Sequence, residues 1–292
     1  MPPQRTHTNF LDLDAKLSDY ADARYAVLPI PYDAATSYNA GARRAPAAII
    51  EASHHVELFD EELLADFHTA GVATLDAVVP NIDGPAAMHE DLFRTARPVI
   101  RDGKVLLSLG GDHSVTSGLV RAAMSVHKKL SVLQIDAHLD LRDVWEQSKF
   151  SHATVMRRAF DMGAKIVPVG IRCVSRDEHR FVKEAGISPI TARDCHESDD
   201  WIDRALDALG DSVYVTIDVD GLDPGVAPGT GTPEPGGLDW YQVTALLRLV
   251  AAEKRIVAAD LVEVMPVPGQ VVTEFFAARL LYKLICYIEA AK

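Results

Sequence analysis

Short apolar runs alternate along the chain with longer stretches in which apolar residues recur at helical spacing. Apolar runs of this length are typical of strands that helices cover on both faces of a sheet. The predicted strands are Tyr25–Pro31, Lys104–Gly110, Ser131–Asp136, Lys165–Ile171, Ser212–Asp218 and Ile256–Val264. The predicted helices are Pro46–Leu58, Pro85–Arg101, Thr116–His127, Thr154–Met162, Arg176–Ala185, Trp201–Leu209, Trp240–Lys254 and Val271–Ala290.

This alternation predicts an α/β fold, a three-layer α/β/α sandwich around a mainly parallel central sheet with right-handed crossovers. Four predicted helices are followed by a glycine, the residue that favours the left-handed conformation of a helix C-cap. These glycines are Gly103, Gly163, Gly186 and Gly210. No linker, charge block or internal repeat interrupts the pattern, so we expect a single domain over residues 1–292.

The amino-acid composition disfavours several classes of protein function. The formal net charge of −13 disfavours a nucleic-acid binder, which needs clustered Lys and Arg, and is compatible with a cationic substrate. The N-terminal residues lack the apolar core of a signal peptide, and Arg279 and Lys283 interrupt the apolar stretch Phe275–Ile288, so we expect no membrane association. Three cysteines without CxxC spacing favour a reducing cytoplasm over a disulfide framework.

Polar clusters follow three of the predicted strands directly. Gly110–Ser114 (GGDHS) follows the second strand, Asp136–Asp140 (DAHLD) follows the third, and Asp218–Asp220 (DVD) follows the fifth. In a parallel sheet of this kind, chemistry collects outside the carboxyl ends of the strands. We therefore expect these three clusters to meet at one edge of the sheet.

The spacing within the clusters predicts a metal site. Residues two apart in an extended chain point the same way, so Asp136, His138 and Asp140 would share a face, and so would Asp218 and Asp220. With the histidine of GGDHS, four carboxylates and two imidazoles would meet in one crevice. Buried carboxylates are costly unless they are paired or bound to metal, and two divalent cations would balance four of them. Mixed Asp and His ligation favours manganese over a thiolate-preferring metal.

Taken singly, the clusters have simpler explanations. The glycines of GGDHS could form a turn with a loop histidine, and DVD could be a solvated turn. DAHLD is harder to explain in this way, because polar residues at alternate positions have no structural reason to end a buried strand. Their joint occurrence at strand ends favours a shared site.

Four segments, in order, closely resemble the signatures of the ureohydrolase (arginase/agmatinase) family: GGDHS, DAHLDLRD, SHATVMRR and TIDVDGLDPGVAPGTGTPEPGGL. The resemblance extends from about Pro29 to the C-terminus and implies two Mn²⁺ ions per subunit. It assigns the first ion to His113, Asp136, Asp140 and Asp218, and the second to Asp136, His138, Asp218 and Asp220. Two metals about 3.5 Å apart lower the pKa of a shared water, so hydroxide would be the nucleophile.

The resemblance also implies two catalytic residues. His152 would carry the proton for the departing amine, and Glu263 would hold the planar guanidinium through paired hydrogen bonds. Alone, His152 could be a surface histidine at a helix start, and Glu263 an ion-paired residue at a strand end. Two positions depart from the family pattern: Ala153 replaces a common glycine, and Met265 replaces a common asparagine. Alanine is acceptable unless its position needs positive φ, whereas the lost amide puts a substrate contact in doubt.

The substrate is less closely defined. The pattern IPYD…SY…GAR within residues 30–43 resembles the agmatinase branch, which converts agmatine into putrescine and urea. Guanidinobutyrate, guanidinopropionate, arginine and a formimino compound remain alternatives. Specificity would depend on loops at the crevice mouth, for which Asp33–Ala42 and Val144–Ser151 are candidates. Relatives assemble as trimers or hexamers, so a homo-oligomer is also implied.

Two further hypotheses remain. Amide-cleaving deacetylases have a similar fold, but they lack the long DVDGLDP block and typically use one zinc. A non-catalytic family member would keep the fold without turnover. The presence of all six expected metal ligands, together with His152 and Glu263, disfavours that interpretation.

Overall fold

The computed structural model describes residues 9–292, so the predictions for residues 1–8 lie outside the described residues. The strands are β1 Tyr25–Pro29, β2 Phe59–Asp60, β3 Ala65–Asp66, β4 Val72–Thr74, β5 Val105–Leu109, β6 Leu130–Ile135, β7 Lys165–Ile171, β8 Ile190–Thr191, β9 Ser212–Asp218 and β10 Arg255–Val262. The helices are α1 Ala45–Ser53, α2 Pro85–Arg101, α3 Thr116–Val126, α4 Val155–Asp161, α5 Arg176–Ala185, α6 Ala192–Glu197, α7 Trp201–Ala208, α8 Trp240–Glu253 and α9 Val272–Ala290.

Eight strands form one parallel sheet in the order β4-β1-β5-β10-β9-β6-β7-β8, while β2 and β3 form a separate antiparallel hairpin. Helices cover both faces of the sheet, which confirms the predicted three-layer α/β/α architecture. Alternate residues of each strand point to opposite faces. In β1, for example, Tyr25 and Val27 pack with the apolar side chains of α1, α7, α8 and α9, whereas Ala26 and Leu28 pack with those of α2, α3 and α4.

The six predicted strands are all present, with bounds that differ by at most two residues. The edge strands β4 and β8 were not predicted, because three and two residues are too few to give a periodic signal. The predicted helix Pro46–Leu58 is too long, since α1 ends at Ser53. There the Ser53 hydroxyl donates to the carbonyl of Ile50 and accepts the Leu11 N–H, bonds that compete with helix continuation.

Two glycines allow the loops that carry the polar clusters to approach neighbouring backbone. A Cβ added at Gly111 would lie 1.8 Å from the carbonyl oxygen of Tyr32, and one at Gly221 would lie 2.7 Å from the amide nitrogen of Asp136. Neither distance is sterically possible. Glycine at these positions therefore lets the loops after β5 and β9 pack closely against their neighbours.

A buried ion pair attaches the β2–β3 hairpin to α9. The ammonium of Lys283 lies 2.9 Å from Asp60 and 3.0 Å from Glu62, and the side chains of Lys283 and Asp60 are almost completely buried. The apolar stretch around Lys283 is thus an internal helix face. Within residues 9–292, none of the helices has the length and apolar character needed to cross a membrane.

Candidate metal centre

The predicted metal ligands lie together at the carboxyl edge of four neighbouring strands, β5, β10, β9 and β6. They come from the loop after β5, the segment after β6 and the end of β9: His113, Asp136, His138, Asp140, Asp218 and Asp220. All are buried except His138, which is partly exposed. The strand-end argument therefore correctly predicted their convergence.

His113 is oriented as a metal ligand would be. Its Nδ1 lies 3.2 Å from Asp136 Oδ2, 3.0 Å from Asp140 Oδ2 and 3.3 Å from Asp218 Oδ2, but makes no hydrogen bond of acceptable geometry. Its Nε2 lies 2.9 Å from the hydroxyl oxygen of Thr216. A proton on Nε2, donated to Thr216, leaves the lone pair on Nδ1 directed at the carboxylates, the arrangement that a metal-binding imidazole needs.

A second group forms around His138. Its Nδ1 lies 3.1 Å from Asp220 Oδ2 and 3.6 Å from Asp136 Oδ1. The potential ligand atoms of His113, Asp136 and Asp140 lie within 4.8 Å of one another, and so do those of Asp136, His138 and Asp220. Asp136 thus contributes one oxygen to each group, as a bridging carboxylate would. Asp218 lies with the first group, and its Oδ1 accepts the Asp220 N–H at 2.9 Å.

The electrostatics of the cluster favour added positive charge. Burial and the neighbouring Asp136 raise the pKa of Asp140 to about 7, and burial together with Asp220 and Asp136 raises the pKa of Asp218. Burial opposes protonation of His113 and His138, but the adjacent carboxylates outweigh it and raise the pKa of both. When all four carboxylates are ionised, they carry two more negative charges than the two imidazolium groups neutralise, and the raised pKa values of Asp140 and Asp218 reflect this repulsion. Divalent cations would supply the missing charge.

Two residues of the site have an unfavourable backbone conformation. Asp140 and Glu263 have φ values of 51° and 61°, in the left-handed region that side chains with a Cβ rarely adopt. Such conformations cost on the order of 1–3 kcal/mol and persist where the surroundings hold them. The Asp140 carbonyl accepts two amides of the following helix, and the Glu263 amide donates to the carbonyl of Gly111 at 2.8 Å.

The two predicted catalytic residues line the same cavity. Glu263 Oε1 accepts the His113 N–H at 2.7 Å, and burial together with Asp112 raises the pKa of Glu263 well above its ordinary value. His152 Nε2 lies 2.7 Å from the Ser37 hydroxyl, and its buried Nδ1 has no hydrogen-bond partner among the described residues. Burial lowers the pKa of His152 to about 4, so its imidazole is neutral near pH 7.

The cavity has a volume of about 220 Å³, and both predicted loops contribute to its wall. Residues 36–39 come from the first loop, and Trp145 comes from the second. Sequence reasoning missed several other lining residues, namely Arg142, Cys173, Ser175, Glu178 and Thr232. Arg142 stacks on the ring of Trp145 at 4.4 Å. The position of Cys173 and Ser175 just after β7 is a signal that could have found these two residues.

A row of four buried polar residues lies beneath the ligands, one on each of the central strands. In register across the sheet this polar row is Ser108, Asp260, Thr216 and Gln134. Thr216 contacts His113, and the side-chain amide of Gln134 donates to Asp136 Oδ2 at 2.9 Å. The polar row was not predicted from the sequence, although a polar residue inside an otherwise apolar strand can be recognised in the sequence.

The two departures from the family pattern have different structural settings. Ala153 lies in a short 3₁₀ turn, His152–Thr154, and is not among the non-glycine residues with positive φ, so alanine is accommodated there. Met265 donates its amide to the carbonyl of Gly229, and its side chain lies beside Gly41. The Met265 side chain thus packs against the loop 33–42, and Met265 is not one of the residues that line the cavity.

Comparison with known proteins agrees with this geometry. A sequence model described as the arginase family matches residues 23–286. The chain is 40% identical over 285 residues to an N(1)-aminopropylagmatine ureohydrolase of Synechocystis sp., covering 95% of this chain and 93% of that protein. It is 35% identical to an agmatinase of Pyrococcus horikoshii, covering 96% of this chain and 97% of the relative.

A solved structure is also similar. The crystal structure of an agmatine ureohydrolase of Thermoplasma volcanium superposes with a TM-score of 0.86 at 33% sequence identity. The match covers 94% of this chain and 92% of the other. Fold and sequence thus point to the same group of proteins.

Proposed function

Since this chain belongs to the arginase family and is a hydrolase of guanidino compounds, we propose that it releases urea from agmatine and leaves putrescine. The observation that carries the proposal is the meeting of six Asp and His side chains with Glu263 around one cavity. A cationic guanidinium fits the carboxylate of Glu263, which the two cations would leave free. The agmatinase of Pyrococcus horikoshii supports agmatine as the compound.

The side chains fit two divalent cations, and their Asp and His donors favour Mn²⁺. His113, Asp136, Asp140 and Asp218 would hold the first, and Asp136, His138, Asp218 and Asp220 would hold the second. When bound, two such ions supply an activated water at neutral pH. Thr216 and Gln134 keep His113 and Asp136 in place from below.

Glu263 would orient the substrate. One of its carboxylate oxygens is held by the His113 N–H, which fixes the plane of the group at the cavity wall. A guanidinium is a planar, charged donor, and a carboxylate binds it through charge-assisted hydrogen bonds. Burial and Asp112 disfavour the ionised form of Glu263, so a cationic substrate would offset that cost.

His152 would move the proton that the departing amine needs when the C–N bond breaks. Its imidazole is neutral near pH 7 and its Nε2 is hydrogen-bonded to the Ser37 hydroxyl, so it can accept a proton and pass it on. Ser37 belongs to the loop 33–42, which closes this side of the cavity. The loop thus orients the proton carrier.

N(1)-aminopropylagmatine is a second candidate substrate, favoured by the 40% identical relative that bears this name. Its longer tail would carry one more amine group than that of agmatine. The aromatic ring of Trp145 and the carboxylate of Glu178 line the cavity and are suitable contacts for such cations.

A urea-release panel with added Mn²⁺ tests the proposal. The compounds are agmatine, N(1)-aminopropylagmatine, arginine, guanidinobutyrate, guanidinopropionate and a formimino compound. We expect the highest kcat/KM for agmatine, and a higher value for N(1)-aminopropylagmatine would favour the second candidate. Metal-loaded protein that releases no urea from any compound would instead support a non-catalytic family member.

Three further expectations complete the proposal. Residues 1–292 would form one ureohydrolase domain, and the protein would act in the cytoplasm as a homo-oligomer. The expected assembly is a trimer or hexamer. Light scattering of the purified protein would measure its mass against the 31.8 kDa of one chain.

A further inference from the structure

A second cavity lies at the opposite edge of the sheet from the candidate metal centre. It has a volume of about 430 Å³ and is formed where β1, β5 and β10 begin and where α2, α3, α8 and α9 end. These three strands are neighbours in the sheet, so the residues at their starts lie side by side. We call this cavity the basic groove.

Among the described residues that line the basic groove, none has a side-chain carboxylate and six are basic: Arg24, Arg101, Lys104, His127, Lys254 and Arg255. Arg24 pairs with Glu289 at 3.2 Å. Within residues 9–292, Arg101, Lys104, Lys254 and Arg255 have no carboxylate partner within 4 Å. Burial, with a contribution from the charge of Arg255, lowers the pKa of His127. Such a cluster is unexpected in a chain with a net charge of −13.

Helix ends explain part of this pattern. The carbonyl ends of helices attract cations, and Arg101 and Lys254 stand at the ends of α2 and α8. The ammonium of Lys104 also donates a hydrogen bond to the carbonyl of Ala23 at 2.6 Å, but this neutral acceptor does not cancel its positive charge. Arg24 has its partner in Glu289, but Arg255 stands at a strand start, where neither a helix end nor a carboxylate among the described residues requires it. The excess of charge is therefore not accounted for by the fold alone.

We propose that the basic groove binds a small polyanion that carries a diphosphate group. Several cations around one concave space increase the local concentration of an anion, and Arg and Lys bind phosphate oxygens through charge-assisted hydrogen bonds. The source of the diphosphate would be either free pyrophosphate or a nucleotide. The site lies away from the metal centre and does not depend on the proposed reaction.

Isothermal titration calorimetry on the metal-loaded, desalted protein tests the proposal with two probes, pyrophosphate and ADP. We expect saturable binding that weakens as NaCl is raised, because salt screens exposed charges. Equal affinities would indicate recognition of the diphosphate alone, and tighter binding of ADP would indicate a nucleotide. The absence of binding for both probes at millimolar concentration would overturn the proposal.

Variants separate this groove from the metal centre. The double variant Lys254→Gln/Arg255→Gln should weaken binding by about tenfold or more while urea release is unchanged. Arg101→Gln, which removes an exposed charge of the same groove, provides an independent second test of anion binding. A matched control, Arg180→Gln/Arg193→Gln, removes two exposed charges elsewhere and should bind as the unaltered protein does. If the Lys254→Gln/Arg255→Gln variant bound pyrophosphate and ADP as tightly as the unaltered protein does, the anion would bind at another site and the proposal would be wrong.

Discussion

Thr216→Val tests whether the polar row supports the metal ligands. Valine has nearly the shape of threonine, so the change removes the hydroxyl while the strand and its packing remain. His113 Nε2 then loses its acceptor at 2.9 Å in a fully buried environment. Asp260 loses its interaction with the Thr216 hydroxyl but keeps the hydrogen bonds of Tyr214 and Thr116.

The expected loss of metal affinity in Thr216→Val follows from two independent considerations. A buried donor left without an acceptor costs about 1–3 kcal/mol. Removing the partner of a metal-binding histidine typically lowers metal affinity by about 10- to 100-fold, equivalent to about 1.4–2.8 kcal/mol. The two ranges agree. We therefore expect Thr216→Val to weaken metal binding by one to two orders of magnitude.

Equilibrium dialysis against Mn²⁺, with metal content measured by mass spectrometry, gives the affinity. Urea release should fall at low Mn²⁺ and recover when Mn²⁺ is in excess, because the substrate-binding residues are untouched. Thr216→Ser keeps the hydroxyl and is the matched control, with an affinity near that of the unaltered protein. If Thr216→Val bound Mn²⁺ as tightly as Thr216→Ser, the assignment of the His113 tautomer would be wrong.

Four further predictions concern the site and the fold. Asp136→Asn should abolish urea release and lower the Mn²⁺ content of the purified protein; near-normal activity would exclude Asp136 as a ligand. His152→Ala should keep its metal content but lose turnover by about 10²–10⁴-fold, and an unchanged pH–rate profile would remove His152 from the reaction. The metal-stripped protein should lose stability as pH rises from about 4 to 7, because the folded state binds a proton on Asp140 that the unfolded state releases. The pKa of Asp140 is raised to about 7 in the folded protein and lies above its unfolded value. Measurements of Tm across pH, with and without Mn²⁺, check this, and a Tm of the metal-stripped protein that rises over this interval would contradict it. Lys283→Met should lower the free energy of unfolding by about 3–5 kcal/mol, since it leaves Asp60 buried and unpaired; chemical denaturation measures the loss, which Lys283→Met/Asp60→Asn should largely restore.

The sequence predicted the centre of the fold better than its edges. The long apolar strands and their polar ends follow from local patterns, because burial on both faces favours apolar residues along a strand and leaves most polar residues at its ends. The edge strands β4 and β8 pair over only three and two residues, so their formation depends on the neighbouring strand and not on their own composition.

The cavity wall was predicted less completely for a related reason. Arg142 and Glu178 are ordinary charged residues in the sequence, and they line the cavity because of the path that the chain takes after β6 and β7. Similarly, the alternation rule placed Asp140 on the face of Asp136, but its φ of 51° shows that the chain is no longer extended there. Asp140 reaches the cluster because the surrounding structure holds its backbone in this conformation, which the spacing in the sequence does not indicate.

Strand register explains why the polar row exists. Ile135 pairs with Ile217, and Asp218 pairs with Val262, so Asp136 and Asp218 lie side by side at the end of the sheet. Two residues earlier on the same strands stand Gln134 and Thr216, which face the same side because strand side chains alternate. Apolar residues there would leave the His113 Nε2–H without its acceptor and Asp136 Oδ2 without the hydrogen bond from Gln134 in a buried layer. The buried polar side chains of His113 and Asp136 thus require polar residues in the layer beneath them, and that requirement overrides the apolar composition of buried parallel strands.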